Sequence, residues 1–84
     1  MVTTLVVIMN KTERQLPFPC QIIDKEPEFV TNPFSGEKCL LKPDALAVYD
    51  TIKGSELIKD YATVRKGLDW FMKHEPLAYL ILLD

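Results

Sequence analysis

Catalytic side chains are scarce in this 84-residue chain, which has one histidine, two cysteines and three glycines. The lone histidine, His74, leaves no second imidazole for a metal site or a proton relay. Cys20 and Cys39 stand in separate segments, whereas structural zinc sites pair ligands roughly two to four residues apart. Gly36, Gly54 and Gly67 are isolated, so no glycine-rich loop can cradle a phosphate. Basic charge is not in excess: the net charge is −2, which argues against a nucleic-acid binder. Residues 2–9 are apolar but fall short of the roughly 20 residues that cross a bilayer. They also lack the basic flank and small-residue cleavage site of a secretory signal. The expectations are therefore no catalytic centre, no metal, no cofactor and no membrane contact. The chain is expected in the cytoplasm with both thiols reduced; a Cys20–Cys39 disulfide is the alternative.

Hydrophobic residues make up 48% of the chain and charged residues 26%, as in globular rather than disordered proteins. Residues 1–84 are expected to form a single domain. A chain this short buries only about 60–65% of the surface that its unfolded form exposes. A staple or an oligomer would help it.

The two halves differ in character. Residues 1–41 hold four of the six prolines and the β-branched runs. Residues 2–9 and 21–23 read as short strands, with Pro17-Phe18-Pro19 as an extended crossing between them. Residues 28–31 and 37–41 read as a β-hairpin around Asn32-Pro33-Phe34-Ser35-Gly36. Asn then Pro opens the turn, and Gly36 supplies the positive φ that closes it. The second half reads as helical. Pro43 suits a first helical position and Asp44 the positive end of the helix dipole. Ala45, Val48, Tyr49 and Ile52 form a buried stripe. Leu57 and Ile58 lie off that stripe, so the helix is expected to end near residue 58. Asp60 is expected to cap a second helix over 61–74, and Pro76 to open a short terminal helix over 76–83. A buried strand is the alternative for that last run. The expected class is α+β: a small antiparallel sheet packed on a helical hairpin.

The second helix is apolar on two faces. Tyr61, Val64, Leu68, Phe71 and Met72 fall on one side; Trp70 falls on the other, in line with Thr63, Gly67 and His74. Two apolar faces need two things to pack against. One reading is that residues 77–83 fold back over Trp70 and the shallow groove left by Gly67. The other is that Trp70, with His74, Tyr79, Leu82 and Leu83, forms a surface for a partner protein, since Trp and Tyr dominate binding hot spots. Both hold if the covering segment belongs to a twin subunit, so a two-fold homodimer is expected. Asn32-Pro33-Phe34 also matches the tripeptide bound by EH-type domains, although the hairpin turn by itself accounts for all three residues.

Residues 32–39 (Asn-Pro-Phe-Ser-Gly-Glu-Lys-Cys), 49–54 (Tyr-Asp-Thr-Ile-Lys-Gly) and 66–84 resemble small uncharacterised proteins encoded by tailed phages, notably those of marine bacteria. The resemblance covers roughly residues 30–84. That group often has Thr where this chain has Lys42, a weaker helix cap. The resemblance implies a viral origin and an accessory role, and it transfers no catalytic residue. The expected function is a non-enzymatic protein-binding module whose partner is a host protein. The alternatives are an assembly component acting as a homo-oligomer and, more remotely, a nucleic-acid binder.

Overall fold

The computed structural model describes residues 14–84. The strand expected over 2–9 lies outside the described residues. Strand β1 (Glu28–Thr31) pairs antiparallel with β2 (Lys38–Leu41). Helices α1 (Pro43–Leu57) and α2 (Tyr61–His74) follow, then a short α3 (Pro76–Ala78) that widens into a π turn, Tyr79–Leu83. This is the α+β architecture expected. Residues 21–23 form no strand, because no neighbouring chain among the described residues offers them a backbone ladder; Ile22 and Ile23 are exposed instead.

The two main helices follow their sequence signals closely. Pro43 starts α1, and Lys42 supplies no side-chain cap. Ala45, Val48 and Ile52 are fully buried and Tyr49 is half-buried. The α1–α2 corner takes an αL residue that is not glycine: Lys59 has φ 61°. The amide of Asp60 then donates to the Ser55 carbonyl at 2.8 Å, closing the end of α1 in the manner of a Schellman motif. Asp60 caps α2 by accepting from the Thr63 amide at 3.2 Å and the Thr63 hydroxyl at 2.7 Å.

The core lies between α1, α2, the inner face of the hairpin and the chain end. Phe71, Leu41, Ile52 and Val48 are its largest fully buried side chains. The buried face of α2 is not the stripe expected. Val64, Gly67, Trp70 and Phe71 are buried, Leu68 is half-buried, and Tyr61 and Met72 are exposed. The interior lies between the two apolar faces, so residues at the outer margin of the expected stripe turn to solvent. Gly67 lets α1 approach closely: a Cβ there would collide with Ile52, lying 2.6 Å from its Cδ1. The terminal segment is helical as expected, but its last turn widens, with the Asp84 amide reaching back to the Tyr79 carbonyl at 2.8 Å. Ala78 and Leu82 are buried, whereas Leu77 and Leu80 are exposed.

Candidate interaction surface

Trp70 is only 6% exposed, and it is sealed from the opposite end of the chain to the one expected. Its Nε1 donates to the Gln15 carbonyl at 2.7 Å. The Arg14 guanidinium lies 4.8 Å from the ring centroid, and His74 packs at 5.0 Å. Phe18 reaches the Gly67 position from the same N-terminal segment. Residues 14–18 thus form a strap over the face of α2 that the tail was expected to cover.

Arg14 fastens this strap. Its Nε and Nη2 form a fork on Asp44 at 2.8 and 2.7 Å, while Nη1 reaches Glu75 at 2.8 Å. The cation also sits at the C-terminal end of α2, where the helix dipole favours positive charge. One side chain therefore ties the strap to the start of α1 and the end of α2. The hydrogen-bonded guanidinium holds the Asp44 carboxyl below the usual carboxylate range.

The expected surface of Trp70, His74, Tyr79, Leu82 and Leu83 is not assembled at the exterior. Trp70 and Leu82 are buried, and His74, Tyr79 and Leu83 are half-buried against their own chain. The physical reason is the strap, whose polar groups satisfy the indole N–H and so allow the ring inside. A shallow groove of about 390 Å³ remains beside it, lined by Pro17, Lys66, Asp69, Lys73 and His74. A cleft of about 600 Å³ opens between the strap and the start of α1, with Leu16, Ile22 and Pro43 in its lining. Arg14 lines it too, but is already paired with Asp44 and Glu75.

The hairpin turn is where sequence and structure agree best. Asn32 Oδ1 accepts from the amides of Phe34 at 2.8 Å and Ser35 at 3.3 Å. Its carbonyl accepts from the Gly36 amide at 2.8 Å, and Gly36 has φ 80°. Its Nδ2 donates to the Ile81 carbonyl at 2.8 Å, pinning the turn to the chain end. The turn occupies residues 32–37, one more than expected, because Glu37 joins the ladder only as an acceptor, from the Asn32 amide at 2.8 Å. Every polar group of the Asn32 side chain is thus engaged within the chain. Pro33 and Phe34 project beyond it, and Phe34 is 97% exposed.

The rest of the exposed apolar surface was not anticipated. On the outer face of the sheet, Phe29 and Leu40 are cross-strand partners, 68% and 50% exposed. The strand alternation that puts Val30, Cys39 and Leu41 toward the core forces this pair outward. That alternation was readable once the hairpin register was fixed. Leu57 and Ile58 are also exposed at the α1–α2 corner.

No family model, curated protein or solved structure matches the chain. The site is therefore read from its chemistry. Cys20 and Cys39 are free thiols, and burial pushes both above the ordinary thiol range. That is the reverse of an activated nucleophile. Among the described residues, no three His, Cys, Asp or Glu side chains are grouped to hold a metal ion. None of their helices is long and apolar enough to cross a membrane. What the surface does offer is apolar contact area on a braced hairpin.

Proposed function

We propose that this chain is a protein-binding module rather than an enzyme, and that the hairpin tip makes the contact. One observation carries the reading. Phe34, the most exposed large apolar side chain among the described residues, stands on a turn fixed at both ends by Asn32. Transfer of a Phe side chain from water to an apolar site is worth about 1.5–3 kcal/mol. A ring held ready on an ordered turn loses little conformational entropy on docking. The Phe29–Leu40 pair on the same hairpin supplies further apolar area. The resemblance of residues 30–84 to phage accessory proteins makes a host protein the class of partner.

The test is affinity capture from host extract with the wild-type chain and Phe34→Asp. The turn's hydrogen bonds use only the backbone of Phe34, so the substitution leaves the melting temperature unchanged. A partner retained by wild type and lost by Phe34→Asp supports the reading. Equal capture by both chains refutes it.

A further inference from the structure

The sheet has two strands, so each leaves one edge unpaired among the described residues. The register shows which backbone groups face outward. The Asn32 amide bonds the Glu37 carbonyl, which makes 32–37 a hydrogen-bonded pair. Hydrogen-bonded and non-hydrogen-bonded pairs alternate along an antiparallel ladder. Phe29↔Leu40 and Thr31↔Lys38 are then the non-hydrogen-bonded pairs. The N–H and C=O groups of Phe29 and Thr31 therefore point away from β2.

The outward positions on either side are Pro27 and Pro33, neither of which has an N–H to offer. The free edge of β1 is thus cut to two residues with a proline at each end. It carries no charge at its outward positions. The edge of β2 differs: its outward residues are Lys38 and Leu40, a lysine being a common edge guard. β2 is also the strand that packs on α1, α3 and the terminal turn.

We propose that the β1 edge is the contact of a two-fold dimer of this chain. A two-fold axis through Val30 sets Phe29 opposite the second copy's Thr31, and Thr31 opposite the second copy's Phe29. Both donors and both acceptors of each residue are then paired. Pro27 falls opposite the second copy's Pro33, where neither has a donor to lose. Moving the axis to Phe29 sets Thr31 against Pro27. Moving it to Thr31 sets Phe29 against Pro33. Either shift leaves a carbonyl without a donor. The edge is thus self-complementary in one register, as an isologous contact must be. Two hairpins become one four-stranded sheet, which answers the marginal stability of an isolated two-stranded hairpin. The Phe29–Leu40 pairs of both copies join on one face, and the two Phe34 turns lie at opposite ends. This inference stands apart from the role given to Phe34.

Sedimentation equilibrium of the full chain tests it, with Thr31→Pro as the variant. Proline at 31 removes an N–H that the hairpin does not use, and prolines are tolerated on an edge strand. Wild type should dimerise with rising concentration. Thr31→Pro should remain monomeric at the same concentrations with an unchanged circular dichroism spectrum. A wild-type monomer at high concentration overturns the proposal. A wild-type monomer with Phe29 and Thr31 amides protected from exchange also overturns it, because another part of the chain then holds the edge. A dimer that survives Thr31→Pro overturns the interface. If Thr31→Pro fails to fold, Val30→Cys decides, in a Cys20→Ser, Cys39→Ser background because Cys39 is the cross-strand partner of Val30. Residue 30 meets itself on the axis, so oxidation should link two chains. Failure to cross-link overturns the register.

Discussion

The indole Nε1 of Trp70 donates to the carbonyl of Gln15 at 2.7 Å, joining positions 55 apart in the chain. That bond explains how a tryptophan on the less apolar side of α2 becomes core. It also makes the N-terminal strap part of the fold, with Arg14 as its fastening.

Arg14→Ala should destabilise the domain by about 1–3 kcal/mol, the range for hydrogen bonds to charged groups. The guanidinium is partly exposed, which keeps the loss below that of a fully buried pair. Trp70 emission should shift to the red as the strap loosens. Chemical denaturation and fluorescence of the variant check both outcomes. Emission identical to wild type would show that Gln15 holds the strap without Arg14.

The same pair sets an acid dependence. Hydrogen bonding to Arg14 depresses the Asp44 carboxyl in the folded state. Its contribution is fully present above the ordinary carboxylate value of about 3.9. It is lost as pH falls through the lower folded value. Asp44→Asn should therefore flatten the decline of stability below about pH 4 relative to wild type. Melts across pH 2–7 measure the slope; parallel curves for the two proteins would contradict the linkage.

Gly67→Ala tests the α1–α2 contact. In an exposed helix this change is worth up to about 1 kcal/mol of added stability. Here the new methyl meets Ile52, which is fully buried and has nowhere to move. A net loss of about 1–3 kcal/mol is expected, as for other overpacked cores. Ile52→Ala should relieve part of it, and a double-mutant cycle reads the coupling. A stabilised Gly67→Ala would show that the helices can separate freely.

Asn32 offers a graded test of the turn. Asn32→Ala loses the bonds to Phe34, Ser35 and Ile81 together, for about 1–3 kcal/mol. Asn32→Asp keeps the acceptor and loses only the donor to Ile81, so its melting temperature should fall between those of wild type and Asn32→Ala. Equal melting temperatures for the two variants would mean that the chain-end tether carries the whole effect.

Lys59→Gly should raise stability by about 1 kcal/mol, because Lys59 holds a positive φ that glycine adopts without strain. Thermal unfolding checks it; a destabilised variant would mean that the lysine stem packs usefully at the corner.

The local signals in the sequence were sufficient where the physics is local. Asn32, Pro33 and Gly36 specified the turn through their own backbone preferences. Pro43 and Pro76 marked helix starts, and Asp60 marked the cap of α2, because each acts within a few residues of itself. The stripe Ala45–Val48–Ile52 followed from helical period alone. The Trp70 face was different. Two segments could cover it, the tail after Pro76 or the strap before Phe18, and both are close to it only in three dimensions. What decided between them was one indole N–H that needed an acceptor and one arginine positioned to reach both Asp44 and Glu75. Neither need leaves a periodicity in the sequence. The exposure of Tyr61, Met72, Phe29 and Leu40 has the same origin. Spacing tells which residues share a face, but only the position of the other elements decides which face meets the core.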